Sequence, residues 1–503
     1  MSAFCKHFVL TIVILLYTSV VSAQQNITVR VDASRTFQTI HNFSASDAWS
    51  CQFVGNWPDQ KKNVIADWLF SMDTLSNGSP KGIGLSMWRY NIGAGSAEQG
   101  DSSLIVDEWR RAALVNGNTA QTSDRIKAQN WFLLAAKKRG VKQFLGFLNS
   151  PPVQLTVNGL AHATAGKNNI DSSQYDAYAD YVVNALKTIQ RSTGISFNYV
   201  SPVNEPQWDW SDNNQEGCPY DNNHISGIVK SFNESFARNK LGTKLLITEA
   251  GQINYLLPGS NKPARDNQVN EFFKSSYPNY VGNLSHVSNT IAAHSYFTTS
   301  PLSKAMDLRG KIKESIASIK GLEYWQSEYC ILGDNDGEIN GDKRDLDITS
   351  GLYVAKVMYE DLVGANASAW QWWIAVSAYN YKDGLVYVDK KENGGNYYDS
   401  KMLWAMGNYS RFVRPGMQRI DVRSSSNELY VSAFKNIQNK SIVLVFVNET
   451  EKKFPVTVDD TTAVKRKKII AYTTDATRNL EKNILQSGNI SIPSRSIVTV
   501  VLQ

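Results

Sequence analysis

The regular alternation of strand-like and helical segments is the feature that most constrains the fold of this 503-residue chain. Up to about residue 410, short apolar or β-prone runs recur at intervals of about 35 to 60 residues. Amphipathic segments lie between them, for example at 63–72, 123–138, 175–190 and 225–239. This repeat predicts a (β/α)8 barrel whose strands end at Asp47, Asn91, Asn149, Asn204, Glu249, His294, Glu328 and Trp372.

The sequence changes character near residue 410. Downstream, short β-prone runs alternate with turn residues, and the segment 27–31 before the first barrel strand is also strand-like. We therefore predict an α/β fold in which a TIM barrel over 41–409 carries an antiparallel β-sandwich side domain formed by both termini, 24–40 and 410–503. The strands predicted downstream are 428–434, 441–447, 453–458, 467–473 and 496–502.

The N-terminus has the pattern of an export signal. Lys6 precedes an uncharged apolar run, 8–21, which is followed by Ser22 and Ala23 as a small-residue cleavage site. The run is too short for a stable membrane span. We expect residues 1–23 to be a signal peptide and the mature chain to be secreted or periplasmic, without an integral membrane span.

Charge and cysteine content narrow the partners. The formal net charge of +6 is spread along the chain without a dense Lys/Arg tract, so we expect no nucleic-acid partner. We also expect a monomer whose partner is its substrate. Three cysteines follow the signal segment, Cys51, Cys218 and Cys330, and an odd number allows at most one internal bridge. Because Cys51 and Cys218 both lie in predicted loops after strands, we expect them to form a disulfide.

Two glutamates stand at strand ends about 120 residues apart, Glu205 after 199–204 and Glu328 after 322–327. The C-terminal ends of barrel strands share one face, where a pair of carboxyls can flank a glycosidic bond. Each glutamate taken alone is equally well explained as a loop carboxylate. Taken together, they predict a sugar-cleaving enzyme.

The neighbours of the two glutamates suggest their roles. Asn204 precedes Glu205 and could hold a sugar 2-hydroxyl, so we expect Glu205 to be the acid/base. We expect Glu328 to be the nucleophile, with Tyr296 or Arg89 as a donor to its carboxylate. Glu249 is a third strand-end carboxylate and a rival for either role, although a hydrogen-bond acceptor fits it better.

A saccharide cleft needs aromatic platforms for the C–H faces of sugars together with hydrogen-bonding groups for their hydroxyls. The predicted strand ends supply both kinds of side chain. A single tryptophan in a barrel is more often core than platform, whereas a cluster at several strand ends favours a cleft. The candidate substrate-binding residues are Asp47, Trp49, Trp88, Arg89, Asn91, Asn149, Asn204, Trp208, Glu249, His294, Tyr296 and Trp372.

Other chemistries are poorly supported. The acidic loop 334–342 looks like a calcium loop, but Ile339 occupies the position of the turn glycine, so we interpret it as a polar surface loop. The six histidines lack zinc-ligand spacing, and the chain has neither a phosphate-binding glycine loop nor a Gly-x-Ser-x-Gly elbow. We expect neither a metal nor a cofactor.

The motifs at these strand ends resemble glycoside hydrolase family 30, a family of retaining (β/α)8 glycosidases. The matching segments are Trp88–Gly93, Asn204–Pro206, His294–Tyr296, Ser327–Glu328, Trp370–Trp373 and, entering the β-domain, Tyr409–Gly416. The resemblance implies that Glu205 is the acid/base and Glu328 the nucleophile, that no metal is needed, and that a β-sandwich from both termini flanks the barrel.

Within that family the substrates include glucosylceramide, β-1,6-glucan, glucuronoxylan and β-1,6-galactan. The stretches 46–52, 206–210 and 215–218 look most like the β-1,6-galactanase branch. Ser150–Pro152 lacks the Trp-Met that often follows in glucan-cleaving relatives. We therefore expect an endo-β-1,6-galactanase acting on arabinogalactan side chains. The alternatives are a β-1,6-glucanase, another family 30 glycosidase acting on xylan or glucosylceramide, and a non-catalytic carbohydrate-binding barrel.

Overall fold

The structure, a computed structural model, describes residues 26–115, 123–460, 468–485 and 489–503. The predicted signal peptide therefore lies outside the described residues. The described chain begins with a long strand, β1 (Ile27–Thr39), which belongs to the side domain. Eight parallel strands then close a barrel: β2 (Asn42–Ser46), β3 (Met87–Asn91), β4 (Gln143–Phe147), β5 (Tyr199–Ser201), β6 (Lys244–Ala250), β7 (Val287–His294), β8 (Glu323–Glu328) and β9 (Ala369–Ser377).

Helices connect the strands and cover the outside of the barrel. The four helical segments predicted between strands are confirmed within a few residues, for example as Tyr175–Thr193, whose end at Gly194 uses the left-handed φ of 64° that glycine tolerates. The helices are α1 (Cys51–Val54), α2 (Asp59–Phe70), α3 (Ser96–Gln99), α4 (Asp124–Lys138), α5 (Tyr175–Thr193), α6 (Asn222–Arg238), α7 (Gln268–Phe273), α8 (Leu302–Ala317), α9 (Ile348–Tyr359) and α10 (Lys401–Ser410). None of these helices is both long and apolar enough to cross a membrane.

The side domain is one nine-stranded sheet that β1 joins to the C-terminal part of the chain. The barrel sheet also continues beyond β9 into a short parallel strand and an antiparallel partner. The two strands that extend the barrel sheet are β10 (Gly384–Val388) and β11 (Tyr397–Asp399). The side-domain sheet consists of β1 together with β12 (Gln418–Ser424), β13 (Tyr430–Lys435), β14 (Ile442–Asn448), β15 (Phe454–Asp460), β16 (Ile469–Thr474), β17 (Glu481–Leu485), β18 (Asn489–Ile492) and β19 (Ser496–Leu502).

Both faces of the central side-domain strand β14 are buried, which explains its unbroken apolar sequence. Leu444 and Phe446 pack in the core of the side domain, whereas Val443 and Val445 join the large core shared with the barrel helices. The predicted architecture, a TIM barrel with a β-domain formed by both termini, is confirmed. In the side domain, strands β12, β17 and β18 escaped prediction. The sequences of β12 and β17, QRIDVRS and EKNIL, are largely polar, and β18, NISI, is only four residues long.

Strand parity decides which side chains reach the mouth of the barrel. On β3, Met87 packs inside the barrel, while Trp88 and Tyr90 pack outward against the helix layer. Arg89 has the same parity as Met87 and points inward. Since barrel strands are buried on both faces, the pattern of apolar residues alone does not show which side chains point into the barrel and which point towards the helices.

Candidate active site

Glu205 and Glu328 lie on the same face of the barrel. Glu328 is the last residue of β8, and Glu205 follows the short strand β5 with a left-handed φ of 44°. One oxygen of each carboxyl and one ring nitrogen of His294 lie within 4.8 Å of one another. Positive φ is unfavourable for a residue with a Cβ and tends to persist where the surrounding structure fixes a functional side chain.

Donors hold both oxygens of Glu328. Arg89 Nη1 donates to Oε2, and the Tyr296 hydroxyl donates to Oε1 at 3.1 Å. Arg89 Nη2 donates to Asn204 Oδ1 at 3.2 Å, and the guanidinium lies 3.8 Å from the centre of the Phe147 ring. This network fixes the direction of the Glu328 carboxylate and couples it to Asn204.

His294 bridges two carboxyls in the buried floor of the site. Its Nδ1 lies 2.8 Å from Glu205 Oε1, and its Nε2 lies 3.1 Å from Glu249 Oε2. Burial would lower the pKa of His294, but the charge of Glu328 and the hydrogen bonds to Glu205 and Glu249 outweigh it and raise the pKa to about 10. The imidazole is therefore protonated at neutral pH, and both nitrogens donate.

Glu249 is a buried anion beneath the cavity. Ser201 and Ser327 donate to its carboxylate, and no part of the side chain is exposed. Burial would raise its pKa, but the charge of Arg89 and the His294 and Ser201 hydrogen bonds lower it to about 2. Glu249 thus acts as a hydrogen-bond acceptor that holds the two cations.

The charges in this cluster distinguish the three carboxyls. Arg89 and His294 carry two positive charges, which balance negative charges on Glu249 and Glu328. Burial and the negative charge of Glu328 raise the pKa of Glu205, although the hydrogen bond and charge of His294 oppose this. A carboxyl with a raised pKa beside a second carboxylate is the arrangement that lets one group donate a proton while the other attacks.

A cavity of about 740 Å³ opens above the two glutamates. Aromatic rings lie on two sides of it. On one side the Trp49 and Trp373 rings meet edge to face, with centroids 5.3 Å apart; on the other, Trp208 and Phe297 do so at 6.4 Å. Its other walls come from Arg110, Asn204, Asp209, Trp210, Ser211, Asp212, Gln215, Tyr296, Cys330, Ile331, Leu332, Tyr381 and Asp383.

The structure distributes the candidate residues over four positions, of which the last, the hydrophobic core, holds two tryptophans. Those on the cavity wall are Trp49, Asn204, Glu205, Trp208, Tyr296 and Glu328, and those directly beneath it, in contact with them, are Arg89, Glu249 and His294. Asp47, Asn91 and Asn149 are buried and do not line the cavity. Asp47 accepts hydrogen bonds from Asn91 N and Gln129 Nε2, and burial raises its pKa to about 8, so it ties β2 to β3 and α4.

Two tryptophans expected to bind substrate lie in the hydrophobic core instead. Trp88 is fully buried between Phe70 and Phe132, because its strand parity points it at the helices. Trp372 is also fully buried, and its Nε1 donates to the backbone oxygen of Asp383 at 2.6 Å. The next residue, Trp373, lines the cavity in its place.

The expected disulfide is absent. Cys51 and Cys218 are free thiols, and both are buried. Cys51 lies in α1 after β2, whereas Cys218 lies in the loop after β5, which is three strands away around the barrel. Loops that are three strands apart lie over different parts of the barrel mouth. A position in a loop after a strand is therefore not enough to bring two cysteines within disulfide distance.

Several cavity residues were missed by reasoning from strand ends. Arg110 ends a single 3-10 turn (Glu108–Arg110) between α3 and α4, Phe297 lies in the short loop after β7, and Asp383 directly precedes β10. Arg110 is the most informative, because its guanidinium lies 5.6 Å from the Trp49 ring and 4.9 Å from the Tyr379 ring. Asp383 lines the same cavity with an Oδ1 that has no hydrogen-bond partner.

Within the described residues, Glu205, His294 and Glu328 are the one set of side chains whose atoms are close enough to share a metal ion. A protonated imidazole has no free lone pair for a metal. The geometry of this trio therefore fits proton transfer better than metal coordination.

The chain is similar in sequence and fold to several known proteins. A solved structure described as a conserved exported protein of Bacteroides fragilis is 31% identical, with a TM-score of 0.85, and covers 94% of this chain and 100% of that one. An endo-β-1,6-galactanase of Hypocrea rufa is 25% identical over 79% of this chain and 76% of that protein. The catalytic domain of a xylanase from Talaromyces cellulolyticus is 22% identical, with a TM-score of 0.68 over 95% of this chain and 100% of that one, and shares the fold.

Family models match both parts of the chain. Residues 26–387 match the model described as O-glycosyl hydrolase family 30, and residues 416–500 match the β-sandwich domain of glycosyl hydrolase family 30. The first match alone covers more than half of the chain and includes every strand of the barrel. The chain therefore belongs to glycoside hydrolase family 30 and is an O-glycosyl hydrolase.

Proposed function

We propose that this chain is a secreted, retaining endo-β-1,6-galactanase in which Glu328 is the nucleophile and Glu205 the acid/base. The observation that supports this most directly is the short distance between the two carboxyls, whose nearest oxygens lie within 4.8 Å. Retaining enzymes hold their carboxyls about 5 Å apart, whereas inverting enzymes need about 6.5 to 9.5 Å to admit a water molecule.

The proposed reaction has two steps. First, Glu328 attacks the anomeric carbon, and Glu205 donates its proton to the glycosidic oxygen as the C–O bond breaks. A covalent glycosyl ester on Glu328 and a free sugar hydroxyl result. Then Glu205, now ionised, takes a proton from water, whose oxygen attacks the anomeric carbon and releases Glu328.

The surrounding residues support these roles. Arg89 and Tyr296 donate to the Glu328 oxygens and aim them into the cavity, and the donated bonds also lower the cost of burying its charge. Asn204 lines the cavity, and its Oδ1 accepts a hydrogen bond from Arg89, which leaves its amide NH2 to donate to a sugar hydroxyl. Hydrogen bonds to the sugar 2-hydroxyl that strengthen in the transition state favour this chemistry.

The substrate is proposed from resemblance. The galactanase of Hypocrea rufa matches over most of both chains, and the stretches 46–52, 206–210 and 215–218 look most like that branch. Other relatives act on different polymers: a glucuronoxylanase of Bacillus subtilis is 23% identical over 74% of this chain and 78% of that protein. β-1,6-Glucan and glucuronoxylan are therefore the alternative substrates. Export is proposed from the pattern of residues 1–23, and the similar protein of Bacteroides fragilis is described as exported.

The test is product analysis with the purified enzyme and a Glu328→Gln variant. Each is incubated with β-1,6-galactan, β-1,6-glucan and glucuronoxylan, and the products are separated by size. Short β-1,6-galacto-oligosaccharides from the wild type alone are the expected result. Cleavage of glucan or xylan instead would reassign the substrate, and binding without cleavage would indicate a carbohydrate-binding barrel.

A further inference from the structure

Phe297 is an exposed aromatic residue on the cavity wall. Its side chain is 47% exposed, and its backbone adopts a left-handed φ of 56°. This conformation is unfavourable for a residue with a Cβ, and burial of the ring does not compensate for it. A large apolar side chain held in the open by a strained backbone points to a role in binding.

Neighbouring loops are shaped to accommodate this ring and that of Trp208. A Cβ added to Gly333 would lie 2.9 Å from Phe297 Cε1, and one added to Gly251 would lie 2.5 Å from Trp208 Nε1. Glycine at both positions therefore lets the two rings lie directly on loop backbone. The rings meet edge to face at 89°, which is the preferred arrangement of aromatic quadrupoles.

The position of the two rings relative to Glu205 indicates which part of a substrate they contact. Trp208 belongs to the loop that carries Glu205, and its backbone N donates to Glu205 O at 3.1 Å. An acid must lie beside the leaving oxygen to protonate it, so the leaving group lies on the Glu205 side. The other aromatic pair, Trp49 and Trp373, comes from β9 and the loop after β2, on the opposite arc of the barrel.

We propose that Phe297 and Trp208 form a platform for the first sugar on the leaving-group side of the bond that is cleaved. This inference rests on the proposed roles of Glu205 and Glu328. The ligand is a hexopyranose unit of the polymer, whose C–H face stacks on the Phe297 ring. Sugars then bind on both sides of the cleaved bond.

The experiment compares two substrates that differ on the leaving-group side. β-1,6-Galactan places a sugar on the platform, whereas β-1,6-galactobiosyl fluoride has a single-atom leaving group that cannot reach it. For Phe297→Ala, kcat/KM on galactan falls about three- to tenfold, as expected from one aromatic contact, while kcat/KM on the fluoride is unchanged. Phe297→Tyr keeps the ring and retains wild-type activity on both substrates.

Val106→Ala is the matched control, because Val106 is 90% exposed and does not line the cavity. It leaves both rates unchanged. An equal loss on both substrates for Phe297→Ala, or no loss on either, would overturn the platform. Thermal unfolding shows whether Phe297→Ala has a folding defect. If it has, Phe297→Tyr still tests the platform, because a tenfold loss on galactan in a variant that keeps the ring would overturn the proposal.

Failure of the galactanase assignment is recognised separately. If the wild type cleaves β-1,6-glucan or glucuronoxylan instead of galactan, the same variants are compared on that polymer and on the corresponding disaccharide fluoride. A selective loss on the polymer then supports the platform with a different sugar. Absence of hydrolysis by the wild type on every polymer overturns both inferences.

Discussion

His294 Nδ1 lies 2.8 Å from Glu205 Oε1 and, because the imidazole is protonated, donates to the carboxyl that is proposed to act as the acid. The donor fixes the carboxyl in place, while burial and the charge of Glu328 still raise the Glu205 pKa. A positioned carboxyl with a raised pKa is what protonation of a leaving oxygen requires.

Glu205→Ala will reduce activity on substrates whose leaving group must be protonated much more than on substrates whose leaving group needs no proton. We expect kcat/KM on β-1,6-galactan to fall by about 10² to 10⁴. With a 2,4-dinitrophenyl β-1,6-galactobioside, whose leaving group needs no proton, the first step will be largely retained. The alkaline limb of the pH profile, which reports loss of the Glu205 proton, will disappear. Equal losses on both substrates would contradict the assignment of the acid.

Glu249→Gln will change the acid stability of the protein. The pKa of Glu249 falls from 4.5 to about 2 on folding, so its carboxylate stabilises the fold above pH 4.5, and this contribution is lost as the pH falls towards about 2. Relative to the variant, the wild type will therefore lose stability over that window. Urea unfolding of both proteins at several pH values measures the difference.

Glu216→Gln is a control of opposite sign. Glu216 is also buried, but burial raises its pKa from 4.5 to about 7, despite hydrogen bonds from Ser96 and Ala94. Its contribution is fully present below pH 4.5 and is lost as the pH rises through about 7. The wild type will thus lose stability relative to this variant with rising pH. If the stability of the wild type relative to Glu249→Gln and relative to Glu216→Gln changed in the same direction with pH, the opposite pKa shifts assigned to Glu249 and Glu216 would be contradicted.

Trp372 and Trp373 will respond differently to substitution. Trp373→Ala removes a ring from the cavity wall, so we expect a higher KM and a small change in the melting temperature. Trp372→Phe removes a buried indole and its hydrogen bond to Asp383, which costs about 1 to 3 kcal/mol of stability. Kinetics and thermal unfolding of both variants distinguish these roles, and reversed phenotypes would refute the placement of the two rings.

The three cysteines of the described chain will behave as free thiols. Burial raises the pKa of each, to about 12 for Cys218, so all three will react slowly with alkylating agents in the folded protein. After unfolding without a reductant, mass spectrometry will detect three alkylated cysteines. The melting temperature will not change when a reductant is added, and a fall in it would indicate a disulfide.

The sequence predicts the barrel well because apolar residues recur with different spacings in its strands and in its helices, and the local backbone geometry of each element sets that spacing. The ends of β3, β7 and β8 coincide with the predicted residues Asn91, His294 and Glu328. Strand β9 instead runs on to Ser377, since the apolar run continues past Trp372.

The candidate site is less predictable, for two physical reasons. Strands buried on both faces lack the alternation of apolar and polar residues that marks a strand with one solvent-exposed face. The sequence therefore did not show that Trp88 and Trp372 face the helices while Trp373 faces the cavity. The ion pair of Arg89 and Glu328 shows which side chains of their strands face the site, but the sequence alone does not reveal that these two residues are partners. Phe297, Arg110 and Asp383 depend on loop conformations that long-range packing determines, and the sequence shows no local signal for those.

The most direct test of the two-glutamate mechanism is to trap the glycosyl ester. The enzyme is incubated with 2-deoxy-2-fluoro-β-1,6-galactobiosyl fluoride, which slows hydrolysis of the ester, and its peptides are analysed by mass spectrometry. We predict the mass of one fluorinated disaccharide on the peptide that contains Glu328, and none in Glu328→Gln. Labelling of Glu205, or hydrolysis of galactan with inverted anomeric configuration and no label, would contradict the mechanism.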